Sequence, residues 1–212
     1  MNKAWQQQLQ TALGQSIGCA LKLAALKGEF PPPKLSPGEK LELAKFTNDN
    51  RRHSWLRARC ALKSLLSELG QNADTTAVSF PHCQYSITHT ADMAIAVARL
   101  DAEPNGIGID LEVCRLVKPG SEKFFLAEPE RQWLDSLQGA NKDEQLIRLW
   151  TIKEAIFKSD LQSQDGVLKN YLLEIPKNYH GEALHHANGK SARFRYASSQ
   201  LDNAWLTVSI PL

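Results

Sequence analysis

Residues Gly106 to Glu112 read GIGIDLE, and apolar and non-apolar side chains alternate along them without a break. That alternation has the period of a β-strand, not of a helix. It puts Ile107, Ile109 and Leu111 on one face and Gly108, Asp110 and Glu112 on the other. Two acids on a strand face ordinarily sit in solvent. Two carboxylates aligned beside a glycine can also hold a ligand, and the rest of the chain has to decide between these uses.

Around this strand the pattern mixes helices with hairpins. Residues 16–27, SIGCALKLAALK, are small and apolar and fit strand or helix equally. EFPPPKLSPGEK is a proline-rich loop that ends in a helix start, with Ser36 as N-cap, Pro37 at the first helical position and Glu39 closing a capping box. That helix is expected to run to about Phe46. A second helix follows in RRHSWLRARCALKSLLSELG, where Leu62, Leu65, Leu66 and Leu69 recur at helical spacing and Gly70 is a natural stop. YSITHTADMAIAVARL reads as strand, bend at Ala91-Asp92, and strand. A helix is expected from about Glu128-Pro129, and a further amphipathic helix in DEQLIRLWTIKEAIFKSD. YLLEI, ARFRYA and AWLTVSI read as strands. Hairpins in place of regular βαβ units indicate an α+β fold.

WLRARCALKS (55–64) and WTIKEAIFKS (150–159) share Trp, Lys and Ser in register, with Arg59 standing where Glu154 stands. An old duplication into two similar halves would leave such an echo. The expected division falls near Glu103, giving halves 1–103 and 104–212 with a site between them.

Composition narrows the function classes. The chain has 212 residues, enough for a sizeable core. Its formal net charge is +2, so no nucleic-acid partner is expected and any phosphate site must be local. The four cysteines, Cys19, Cys60, Cys83 and Cys114, show no C-x-x-C spacing and read as free thiols of a reducing compartment. His82, Cys83 and His89 lack a fourth ligand at a recognisable spacing, so zinc is not expected. The start, MNKAWQQQLQTALG, is polar, and no apolar run reaches the ~20 residues of a membrane span. A cytoplasmic protein is the expectation.

Glu154 and Lys158 are four apart on one helical face. An exposed salt bridge is the common meaning of that spacing. Here Trp150, Ala155, Ile156 and Phe157 surround the pair, and charges on a largely buried helix need partners or a ligand.

SITHT, then GIGIDLE, then about forty residues later WTIKEAIFK, taken in that order, resemble the 4′-phosphopantetheinyl transferase family. The resemblance runs from about Leu41 to Ile175 and is to the longer, two-halved type. It implies transfer of the phosphopantetheine arm of coenzyme A to a serine of an apo acyl, peptidyl or aryl carrier protein, by a monomer built as a pseudo-dimer. It also implies two antiparallel sheets packed against helices. On this resemblance Asp110, Glu112 and Glu154 are ligands of Mg²⁺ (Mn²⁺ as the alternative). Glu154 doubles as the base for the serine, and Lys158 stabilises the phosphate charge with help from Lys153. Thr88 and His89 contact coenzyme A phosphates, and Arg51, Arg52 and Arg59 hold its 3′-phosphate. VKPGSEKFFLAEPE is the candidate carrier-contacting segment. The chain departs from the family pattern at VSFPHCQ, which has no lysine before Pro81, and His82 is the candidate replacement. It departs again at SDLQSQDGVL, which lacks the usual glycines. The other readings of the same residues are a non-catalytic coenzyme A or carrier-binding module and a Mg²⁺-dependent phosphohydrolase.

Overall fold

A computed structural model describes residues 3–30, 33–102, 104–137, 140–162, 166–174, 178–187 and 190–212. The expected boundary at Glu103, Pro31 and Pro32 of the proline-rich loop, residues 163–165 of SDLQSQDGVL, and Ile175 of YLLEI lie outside these residues.

The chain opens with α1 (Lys3–Ile17), which the polar start had concealed. Leu9, Leu13 and Ile17 recur every fourth residue and are buried, which is the helical signal that a search for a continuous apolar run passes over. Gly18 ends the helix at a φ of 75°, a left-handed conformation glycine adopts without strain. The ambiguous stretch thus divides into the end of α1 and strand β1 (Leu21–Lys27).

Helix α2 (Pro37–Ala44) starts with the expected capping box, Ser36 Oγ accepting from Glu39 N and Glu39 Oε2 accepting from Ser36 N. It ends two residues before Phe46. Helix α3 (Asp49–Glu68) buries Leu62, Leu65 and Leu66. The hairpin follows as β2 (Tyr85–His89) and β3 (Met93–Arg99), then β4 (Gly108–Val113), α4 (Glu128–Asp135) and α5 (Ala140–Ser159). Four more strands complete the chain: β5 (Tyr171–Leu173), β6 (His180–Ala187), β7 (Lys190–Leu201) and β8 (Ala204–Pro211). Strand β6 was not anticipated. Its sequence, HGEALHHA, contains no β-branched residue, and pairing along its whole length with β7 is what holds it extended.

The fold is α+β. One antiparallel sheet has the order β1-β3-β2 and the other β4-β8-β7-β6-β5. Helix α3 packs on the first and α5 on the second, while α1 touches β1 and β7 and so spans both. The two helices of the sequence echo, each 20 residues long, therefore occupy corresponding places. The sheets beneath them differ, with three strands against five. One apolar cluster joins them, containing Leu23, Ile95 and Val97 from the first sheet and Ile109, Leu206 and Val208 from the second, with Ile107 just ahead of β4. No helix among the described residues is long and apolar enough to cross a membrane.

Glu39 does more than close its capping box. It is fully buried, and its Oε1 also accepts from Thr75 N (3.0 Å) and Thr75 Oγ1 (2.6 Å) while Oε2 pairs with Lys63 Nζ (2.8 Å). Burial alone would raise its pKa, but Lys63, Thr75 and Ser36 together hold the carboxyl below its ordinary value of 4.5. A carboxyl depressed on folding stabilises the folded state above the ordinary value, and that contribution fades as pH falls through it. Glu39→Gln should cost about 3 kcal/mol at neutral pH, because Lys63 loses its buried partner. The variant should also lose less further stability than the wild type below about pH 5. Urea unfolding at pH 7 and pH 4 checks both, and parallel losses would remove Glu39 from the acid sensitivity.

Candidate active site

The two edges of β4 are satisfied differently. On one side β8 pairs with it from Gly108 to Val113. On the other side lies β2, in another sheet, with no backbone ladder between them. Side-chain hydroxyls take the place of that ladder. Ser86 Oγ accepts from Ile109 N (3.1 Å), and Thr88 Oγ1 accepts from Leu111 N (3.0 Å).

The alternation within β4 then assigns its faces. Ile107, Ile109 and Leu111 enter the shared core. The opposite face is covered by α5. A Cβ on Gly108 would stand 1.8 Å from Ala155 O, so the glycine admits the backbone of this helix against the strand. The solvated-face alternative fails for Asp110, which is 6% exposed. Glu112 remains partly exposed.

Helix α5 brings Glu154 and Lys158 over these acids. Lys158 Nζ donates to Asp110 Oδ1 (2.6 Å) and to Ile109 O (3.3 Å). Asp110 Oδ2 is the only buried carboxylate oxygen without a hydrogen-bond partner among the described residues. Burial pushes the Asp110 carboxyl up; Lys158 opposes the rise and Glu112 adds to it. Burial likewise pushes Glu154 up, with Lys158 lowering and both Asp110 and Glu112 raising it. The three carboxylates therefore share one electrostatic environment. Glu112 Oε1 accepts from Trp150 Nε1 (3.3 Å) and Oε2 from Arg115 Nη1 (2.7 Å). Glu154 makes no side-chain hydrogen bond among the described residues.

Among the described residues no group of three or more His, Cys, Asp or Glu forms a ready-made metal cage. Mg²⁺ does not need one, since it commonly takes one or two carboxylates and completes its shell with substrate phosphate and water. The orphaned Asp110 Oδ2 and the all-oxygen chemistry of the three acids suit that mode.

A cleft of about 670 Å³ opens over this floor. Thr88, His89, Asp110, Glu112 and Lys158 line one side, and Phe46 with Arg51, Trp55 and Arg59 the other. The Arg59 guanidinium lies over the rings of Trp55 (5.4 Å) and Phe80 (5.7 Å) and donates to Thr75 O (3.0 Å). Burial, Lys158 and Arg57 favour the neutral imidazole of His89, with Asp110 opposing them. Phe46 and Trp55 were not anticipated. The signal available was the spacing Arg51, Trp55, Ala58, Arg59, which is one stripe of a helix.

Of the expected site residues, Arg52, Lys153, Glu154 and the candidate His82 are not in the lining of this cleft. Arg52 does not line the cleft with Arg51 and Arg59. It lies one residue, or 100° of helical rotation, from Arg51, and its Nη1 reaches back to Phe46 O (3.5 Å). Lys153 is turned away from Glu154 for the same reason. Its fully buried ammonium is held by Glu130 (2.7 Å) and Tyr171 O, so the structure does not bring it to the cleft. His82 Nδ1 accepts from the backbone of Gln84 (3.0 Å) and Tyr85 (3.1 Å). Of the remaining cations of α3, Arg57 staples the β2–β3 turn by donating to Thr90 O and Ala91 O, and Lys63 belongs to Glu39.

Residues 106–208 match the model of the 4′-phosphopantetheinyl transferase superfamily. The match contains Asp110, Glu112, Glu154 and Lys158, and leaves the wall built by α3 and β2 outside. No curated protein matches the chain.

Proposed function

We propose that the chain, whose residues 106–208 match the model of the 4′-phosphopantetheinyl transferase superfamily, moves the phosphopantetheine group of coenzyme A to a serine hydroxyl of an apo carrier protein. The leaving group is adenosine 3′,5′-bisphosphate. The observation that carries this reading is the pairing of Lys158 with a buried Asp110 whose second oxygen is orphaned, beneath a cleft that also presents Arg51 and Arg59. Acids and cations facing one cleft suit a polyphosphate bound together with a divalent cation.

Mg²⁺, or Mn²⁺ in its place, would be held by Asp110 with Glu112 and Glu154, and when bound it supplies charge neutralisation on the pyrophosphate. Lys158 supplies more. An ammonium has three hydrogens, and Asp110 Oδ1 and Ile109 O take two of them. The third is left for an oxygen of the transferred phosphate. Glu154, with no side-chain hydrogen bond to break, accepts the serine proton. The serine oxygen then bonds to the phosphorus next to the pantetheine arm, and the bond from that phosphorus to the bridging oxygen breaks. Arg51 and Arg59 hold the 3′-phosphate, with His89 as a neutral hydrogen-bonding group beside it.

The division into halves 1–103 and 104–212 belongs to the same reading, as do a monomeric state and a cytoplasmic location. Segment 117–130 is the carrier-contacting surface. Within it Phe124 stands 81% exposed while its neighbours Phe125 and Leu126 are anchored in the core.

The test is incubation with coenzyme A, Mg²⁺ and a panel of apo acyl, peptidyl and aryl carriers, followed by intact-mass measurement. One or more carriers should gain the phosphopantetheine mass, and EDTA should abolish the gain. Coenzyme A binding without labelling of any carrier would identify a binding module. Coenzyme A cleavage without labelling would identify a phosphohydrolase.

A further inference from the structure

Thr88 stands where the two sheets meet, and the resemblance assigns its hydroxyl to a coenzyme A phosphate. The hydrogen-bond inventory of that hydroxyl argues otherwise. A hydroxyl has one hydrogen to donate. Thr88 Oγ1 accepts the Leu111 N–H at 3.0 Å and directs its hydrogen to Asp110 Oδ1, a longer bond of 3.4 Å. Nothing remains to donate to a phosphate, and the residue is 3% exposed although it borders the cleft. The register explains the orientation. Ser86 and Thr88 lie opposite Val97 and Ile95, which belong to the core shared by both sheets. Ile87 and His89 lie opposite Ala96 and Ala94, in the cluster covered by α3. The alternation in SITHT therefore separates two jobs, with His89 on the side of the arginine-bearing helix and Thr88 at the seam.

We propose that Thr88 is a positioning residue for Asp110. With Lys158 it ties down Oδ1, so that Oδ2 is the oxygen presented to the cation, and it does not bind coenzyme A. Ser86 acts with it by fixing Ile109, one residue before Asp110, to the same strand. This inference rests on the metal-dependent transferase reading given above.

The test uses the whole protein and calorimetry, without turnover. Mg²⁺ is titrated into protein saturated with coenzyme A, and coenzyme A is titrated separately into protein in EDTA. Thr88→Val keeps the shape and removes the hydroxyl. It should weaken Mg²⁺ by about tenfold or more, the usual effect of removing a partner that orients a metal ligand. Its coenzyme A affinity in EDTA should stay within about twofold of wild type, and Thr88→Ser should restore the Mg²⁺ affinity. If Thr88→Val does not fold, Thr88→Ala is measured in its place with the same expectations. Unchanged Mg²⁺ affinity in the hydroxyl-free variant overturns the proposal, as does a tenfold loss of coenzyme A affinity in EDTA, which would make Thr88 a phosphate contact. A wild type that binds no Mg²⁺ in the presence of coenzyme A overturns the transferase reading itself. The two failures are therefore told apart by which protein loses the metal.

Discussion

Asp110→Ala should lower carrier labelling by about 10³-fold, the scale of removing one preorganised electrostatic group from a charge-stabilising site, and should leave the melting temperature unchanged or higher. The two halves of this expectation share one cause. Asp110 is buried beneath α5, and its desolvation raises the carboxyl pKa even with Lys158 beside it. A pKa raised on folding means that the ionised form destabilises the folded state at neutral pH. Alanine relieves that cost. Lys158 loses its partner, but its side chain is 31% exposed and can rehydrate. A group that is costly to the fold and needed by the chemistry marks a functional site. Intact-mass kinetics and differential scanning fluorimetry on the same preparation measure both effects. Activity within tenfold of wild type would remove Asp110 from the chemistry, and a large fall in melting temperature would make it a structural residue.

Gly108→Ala should leave little folded protein. The added methyl would meet Ala155 O at 1.8 Å and Ser159 N at 2.7 Å, and both are backbone atoms of α5 that no rotamer change can move aside. Either the helix lifts from β4 or the strand leaves its ladder with β8, and each exposes part of a core that is close-packed. A loss above about 4 kcal/mol is expected, within the exceptional range reserved for overpacking of this kind. Circular dichroism and urea unfolding of purified protein check it. A well-folded variant would still have α5 displaced from β4, so Glu154 and Lys158 would no longer stand over Asp110 and carrier labelling should be lost. A stable and active Gly108→Ala protein would show that the close approach of α5 to β4 is not required.

The chain's local patterns determined the elements that carry the candidate site. Strict alternation made β4 a strand with Asp110 and Glu112 on one face, and helical spacing put Glu154 and Lys158 on one face of α5. The Ser36 and Glu39 signature placed the start of α2. These are near-neighbour properties, set by a period of two or of 3.6 residues and by capping chemistry. Two elements carry no such local signal. Helix α1 is polar except for one stripe, and β6 is extended because β7 pairs with it. Tertiary structure alone decided which face meets what. A one-residue step along a helix turns a side chain by 100°, and that step sends Lys153 to Glu130 and Arg52 to Phe46 O while Arg51 stays in the cleft lining and Glu154 stays within electrostatic reach of Asp110 and Glu112. Motif spacing names residue types but does not say which of two adjacent side chains faces the site. Nor can it show that Thr88 spends its hydroxyl on Leu111 and Asp110, since those partners lie 22 and 23 residues away on a strand of the other sheet. A hydrogen bond between sheets depends on where two edges come to rest, and the packing of the shared core, to which α1 contributes Leu9, Leu13 and Ile17, sets that position.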